Sequence, residues 1–529
     1  MSGPAQGAKQ SRSVTRAAGS MGSVTVLSRL MGFVRVLVIA AVLGTTYLGN
    51  TFQAANSLSN ILFELLAAGA LSAVLVPTFV TLIDAGNEAE ADRLANGLLG
   101  YAVVVMGMIA VLGIVCSPLL ARVLSSGAPN ARVGAEQRHL ATFLLWFFLP
   151  QVVLYAFGGI ATGLLYAKRR FTITAAAPIG SSVVMIACFI TFRVLAGPQP
   201  SFHLTLNERL LLALAGTGGV IAFVGILVIA AHGSGFSLRP RFARHDEALA
   251  RFARLAVWGV LLHSGAAILL GAAVVTGNGV AGGVVAYQVA FVFFLAPYAV
   301  LAQPLTTTIL PVMANDVTAG NLDAFADAIR WTLDRMALMV IPVSAGLVAI
   351  AVPMMSLVAF GSATKTGPAL LGAGIASLAL GLYPYSAFLL LARSYYALGD
   401  SRTPAIVAIF SAVVGVIVMI VGSGLTHGAA RVAALGIGHT TAYVVGVIAL
   451  GIGCSRRTGR SIVPSLLPIA TIVATVIAFA AWIALRALDP QGRFSTAVDL
   501  AIVGGIGTGV YALGTRRWWR APKLIAPEV

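Results

Sequence analysis

Apolar runs of about twenty residues recur along the whole chain, and a run of that length matches the hydrocarbon thickness of a bilayer when coiled as a helix. Fourteen of them begin near positions 21, 53, 94, 139, 171, 209, 249, 280, 331, 367, 404, 431, 464 and 497. With 59% hydrophobic and 10% charged residues and a mean hydropathy of +0.95, the chain has too little polar sequence to cover such runs in water. The expected fold is an all-α polytopic membrane protein of about fourteen transmembrane helices.

An even number of spans puts both termini on one side. The first twenty residues are polar and carry Lys9, Arg12 and Arg16, and the long apolar run after them holds two further arginines, unlike a cleavable signal peptide. With the N-terminus inside, 23 of the 34 Lys and Arg residues fall on inner segments and nine on outer loops. The clusters Lys168-Arg169-Arg170, Arg239-Arg241-Arg244 and Arg456-Arg457-Arg460 all follow even-numbered spans. The net charge of +17 is thereby a consequence of topology, and no nucleic-acid partner is expected. Two inner loops are acidic against this trend, one with Asp84, Glu88, Glu90 and Asp92, the other with Asp316, Asp323 and Asp327.

Those two loops also mark an internal repeat. LSAVLVPTFVTLIDAGN (71–87) and LTTTILPVMANDVTAGN (305–321) align at an offset of 234, pairing Pro77 with Pro311; YAKRRFTITA (166–175) and YALGDSRTPA (396–405) align at 230. The expectation is a six-span unit present twice in parallel orientation, with the last two spans outside it. This divides the chain into a tail (1–20), an N-lobe (21–235), a C-lobe (236–460), spans 13 and 14 (461–515) and a basic tail (516–529). Spans 2 and 8 run to about thirty residues and contain Pro77 and Pro297, Pro304 and Pro311 respectively, a pattern expected of bent or extended helices.

Polar groups inside the apolar spans are costly and point to function. Arg29 and Arg35 lie in the first span, roughly 12 and 21 Å from its start at 1.5 Å per residue. A positively charged cavity for an anionic substrate follows, and the planar guanidinium fork suits phosphate. Gln53, Asn56, Asn60 and Glu64 have helical spacing and form a polar stripe on span 2, with Glu64 at a depth that permits a pair with Arg35. His263 in span 7 and Gln288 and Gln303 in span 8 are secondary candidates; each is also readable as a hydrogen-bonded packing residue, which a lone His is more often than not. The scattered Cys116, Cys188 and Cys454 read as packing residues. No GxxxxGK[ST], HExxH or nucleophile constellation is found, so neither an enzyme, a metal nor a cofactor is expected.

The arginine-bearing LSRLMGFVR (27–35), the following LAAGALSAVLVPTF (66–79), the second-half LPV (310–312) and the doubled six-span pattern resemble the MviN/MurJ family of lipid II flippases, in the MOP exporter superfamily. The resemblance implies a V-shaped bundle around a cationic cavity, two C-terminal helices whose groove holds a polyprenyl tail, and alternating access in a bacterial inner membrane with both termini cytoplasmic. Undecaprenyl-pyrophosphoryl-linked peptidoglycan precursor would be moved from the inner to the outer leaflet. Its partners would be that precursor, membrane lipids and cell-wall synthesis proteins. Arg29 and Arg35 match the family's span 1 arginines and would hold the pyrophosphate; Asn60 matches a family Asn. Departures from the family pattern are Asn50 in place of an acid, Phe63 and Glu64 in place of basic residues, an apolar residue near Val292 in place of an arginine, and no sodium-site acids in spans 7 and 11. Export of another polyprenyl-linked glycan, or a non-transporting cell-wall scaffold, are the alternatives.

Overall fold

In the computed structural model the backbone is described for residues 4–63, 76–241, 247–363, 367–488 and 492–519. Side chains are described from residue 23 onward and, in the seventh span, from 260. Among these residues every regular element is helical. Twelve helical segments are long and apolar enough to cross a membrane, and a pair bent by 43° makes a thirteenth. The second expected span starts as a helix at Tyr47–Phe63 and resumes at Val76–Asp84, and its middle lies outside the described residues. The protein is a multi-pass membrane protein, and the twelve to thirteen spans among the described residues come close to the fourteen read from sequence.

The chain divides into two compact units, residues 1–285 with 360–363, and 286–359 with 364–529. In the first, α1 (Pro4–Leu43), α2 (Tyr47–Phe63), α3 (Val76–Asp84), α4 (Glu88–Val115), the short α5 (Ser117–Leu124), α6 (Ala131–Phe148), α7 (Gln151–Ala167), α8 (Phe171–Ala196), α9 (Leu206–His232) and α10 (Glu247–Gly277) follow in order. Its core is centred on Phe52, Phe148 and Phe189, with Phe52 edge-on to both other rings. The fourth span is broken between α6 and α7 at Leu149-Pro150, because proline cannot donate to the preceding turn. The carbonyls of Phe147 and Phe148 at this break accept hydrogen bonds from Thr217 Oγ1 on α9 (2.9 Å) and Ser59 Oγ on α2 (2.6 Å). Such replacement partners are what permit a break in a span. Gly282 closes the loop after α10 with φ +76°, and a Cβ there would lie 2.3 Å from Thr45 Cα, so only glycine fits.

The second unit takes in most of α11 (Gly283–Pro297), then a π-helical turn (Tyr298–Ala302), α12 (Gln303–Thr318), α13 (Leu322–Val358), the bent pair α14 (Gly367–Ala379) and α15 (Leu382–Ala397), α16 (Arg402–Leu425), α17 (Gly428–Thr458), α18 (Leu467–Leu488) and α19 (Arg493–Trp519). The expected irregularity of span 8 is the π turn, set between Pro297 and Pro304.

The acidic loops that broke the charge trend have partners. In the first unit Glu88 pairs with Lys168 and Asp84 with Arg169 (3.8 Å), and Asp92 accepts from the Ser237 backbone N–H and hydroxyl at 2.7 and 2.8 Å. In the second, Asp323 and Asp327 pair with Arg460 at 2.7 and 3.4 Å. In both units, acids at or just before the start of a long span thus hold a basic or polar segment far along the chain.

Candidate functional site

The first-unit candidates sit on α1 and α2. Arg29 is exposed on α1 and Arg35 is partly buried; neither forms an ion pair among the described residues. Six residues place them about 9 Å apart along the axis. Along α2 the polar stripe runs from buried to open: Gln53 is buried, Asn56 half-buried and Asn60 exposed. Glu64 lies outside the described residues, so the Arg35 to Glu64 pair is not part of the described site.

Tyr155 on α7, which sequence reasoning missed, brings two candidates together. It interacts electrostatically with Arg35, and its hydroxyl donates to Asn60 Oδ1 at 3.1 Å. The result is a cluster in which a guanidinium on α1 and an amide on α2 share a phenol contributed by a third span. Tyr155 is 8% exposed and lies one turn beyond the Pro150 break, so the break helps set its position on the span. A tyrosine well inside an apolar run was the available sequence signal, and the Asn60 partner 95 residues away is what the sequence concealed.

Below Asn56, toward the start of α2, lies a second polar group. Asn50, Gln137 and Asn278 are each at most 2% exposed. Asn278 exchanges two hydrogen bonds with Gln137, both 2.8 Å, and its Oδ1 also accepts from Asn50 Nδ2 at 3.3 Å. Asn50 further donates to Val280 O (2.8 Å) and accepts from Val284 N–H (3.0 Å). This explains why an amide can stand at 50. A carboxylate would keep the bond from Val284 but lose both donations and face two acceptor oxygens.

His263 is half-buried on α10 in the first unit. Gln288 and Gln303 are half-buried in the second, at the middle of α11 and the first residue of α12. Among the described residues no group of His, Cys, Asp and Glu is placed to hold a metal.

The family model described as lipid II flippase MurJ matches residues 39–500. The chain belongs to the MurJ lipid II flippase family. The "Probable lipid II flippase MurJ" of Rhizobium tropici is 25% identical over 73% of this chain and 71% of its own length, and that of Vibrio cholerae 24% identical over 73% of each. Among solved structures, a lipid II flippase MurJ in an inward closed conformation has the same fold, with a TM-score of 0.73 at 17% identity, covering 94% of this chain and 99% of that one. A multidrug resistance MATE transporter of the MOP superfamily, inward-facing, aligns with a TM-score of 0.63 at 15% identity over 83% of this chain and 98% of that one. The matched region of this MurJ family member includes Arg35's neighbours Asn60 and Tyr155, while Arg29 and Arg35 precede it.

Proposed function

We propose that this MurJ family member flips lipid II from the inner to the outer leaflet by alternating access, with Arg29 and Arg35 holding the pyrophosphate. The carrying observation is the Arg35, Tyr155 and Asn60 cluster, in which Tyr155, hydrogen-bonded to Asn60, interacts electrostatically with the guanidinium and no described carboxylate neutralises it. An uncompensated cation within a span is stabilised by an anion entering from water or lipid. Arg29, exposed on the same helix, supplies a second fork, and two guanidinium groups suit the two phosphates of a pyrophosphate. Tyr155 and Asn60 would orient Arg35, with Asn56 and Gln53 extending the polar face and His263, Gln288 and Gln303 as secondary contacts.

The basic inner segments support placement in the bacterial inner membrane with both termini in the cytoplasm. The membership supports the lipid-linked peptidoglycan precursor as substrate over another polyprenyl-linked glycan. No step in the proposal requires a cofactor or a covalent intermediate.

Binding tests the reading. Native mass spectrometry of the purified chain with lipid II should show an adduct that Arg35→Ala weakens about ten-fold or more, the loss expected for a charge-assisted hydrogen-bonded contact. Equal binding by wild type and by an Arg29→Ala/Arg35→Ala double variant would remove the arginines from the site and favour a non-transporting scaffold.

A further inference from the structure

Trp331 and Arg335 lie one helical turn apart on α13, with the guanidinium carbon 5.5 Å from the indole centroid. Arg335 Nη1 donates to Trp518 O at the end of α19 at 2.8 Å. Two neighbouring donors, Trp331 Nε1 and Arg335 Nε, are buried and have no acceptor. Folded proteins rarely leave such donors unmet, because each forgoes a hydrogen bond it made to water in the unfolded chain.

The surrounding charge is mainly positive. Arg517 stacks on Trp518 at 4.1 Å, Arg516 precedes it, and Arg330 adjoins Trp331. None of Arg330, Arg335, Arg516 and Arg517 forms an ion pair among the described residues. The adjacent carboxylate, Asp334, is occupied by Ser465 Oγ and the Leu466 backbone N–H. Trp331, Trp518 and Trp519 give the level an aromatic belt, the composition of the headgroup zone. The helix that carries Arg516 and Arg517 opens outward, with only 6% of its apolar span buried.

We propose that Trp331, Arg335, Arg516 and Arg517 form a binding site for the phosphodiester of an anionic phospholipid, separate from the span 1 arginines. Its ligand is defined by what the site lacks. Unmet N–H donors beside the Arg335 guanidinium and the basic end of α19 call for a negatively charged group rich in acceptors, and the position at the membrane surface beside a lipid-facing helix selects a phospholipid headgroup. A zwitterionic headgroup brings its own ammonium and gains less.

The test uses the full-length chain in detergent, titrated by native mass spectrometry with phosphatidylglycerol and with phosphatidylcholine of the same acyl chains. Phosphatidylglycerol should bind about ten-fold tighter, and Trp331→Phe, which keeps the ring and removes the donor, should weaken it about five-fold. Arg516→Gln/Arg517→Gln should weaken it similarly, and thermal unfolding in phosphatidylcholine shows whether each variant is folded. Equal affinity for the two lipids overturns the proposal, as does undiminished phosphatidylglycerol binding in folded Trp331→Phe and Arg516→Gln/Arg517→Gln proteins. Displacement of the lipid by millimolar inorganic phosphate also overturns it, since the site would then be one for a free anion.

Discussion

Asp334 and Arg335, neighbours on α13, cap opposite poles of the two C-terminal helices. Asp334 Oδ1 accepts from Leu466 N–H at the amino end of α18 (2.7 Å), and Arg335 Nη1 donates to Trp518 O at the carboxyl end of α19 (2.8 Å). Each charge has the sign that complements the helix dipole it meets, a carboxylate at the positive end and a guanidinium at the negative end. The α18–α19 pair is held to α13 at its polar ends as well as through the apolar cluster of Leu338, Ala470, Ala474 and Tyr511.

Replacing Asp334 by Ala should destabilise the second unit by about 1 kcal/mol, the usual cost of a lost cap. Arg335→Ala should cost about 1 to 3 kcal/mol, because a carbonyl loses its charged donor. Thermal unfolding in detergent checks both, and hydrogen exchange should rise at the start of α18 in the first variant and the end of α19 in the second.

Asn278→Ala removes the hub that Gln137 and Asn50 share: the buried Gln137 amide loses both bonds it makes to Asn278, while Asn50 keeps those to Val280 and Val284. A loss of about 2 kcal/mol or more is expected. Asn50→Asp should also destabilise the chain near neutral pH, since a buried carboxylate would face Asn278 Oδ1 and Val280 O. Chemical or thermal denaturation of the two variants at matched expression decides this.

Tyr155→Phe deletes one hydroxyl and leaves Arg35 in place. If the phenol positions the guanidinium, transport should fall about five-fold, with a smaller change than Arg35→Ala produces. Initial rates of lipid II translocation into proteoliposomes give the comparison, and a Tyr155→Phe chain as slow as Arg35→Ala would mean that the hydroxyl itself meets the substrate.

Asp400, in the loop before α16, supplies a pH dependence. Burial opposes its ionisation, but hydrogen bonds from the Thr403 hydroxyl and backbone and from Arg457 outweigh this and hold the carboxyl at about 2. A folded-state value below the unfolded one means that the contribution is complete above about pH 4 and is lost as pH falls through the folded value. Hydrogen exchange of the α15–α16 loop should therefore accelerate between pH 4 and 2 in the wild type and change less over that range in Asp400→Asn.

The spans, the proline-marked irregularity of span 8 and the location of the first cations were legible because each depends on local composition. Helix length and hydropathy need no knowledge of distant partners. Tyr155 was not legible as a site residue, since its meaning comes from Asn60 and Arg35 on other helices. Asn278 reads as an ordinary loop residue until Gln137, 141 residues earlier, is placed against it. The acidic loops looked like exceptions to the charge rule, and only the pairings with Lys168, Arg169 and Arg460 give them a structural role.

The central claim is that cations in span 1 carry lipid II across the membrane, and leaflet accessibility tests it most directly. In cells depleted of their own flippase, the wild-type chain should restore lipid II to the outer leaflet, while Arg29→Ala and Arg35→Ala, at equal membrane abundance, should leave it inside. Restoration by the arginine variants as full as that by the wild type would contradict the account, and so would failure of a folded, inserted wild-type chain to expose any lipid II.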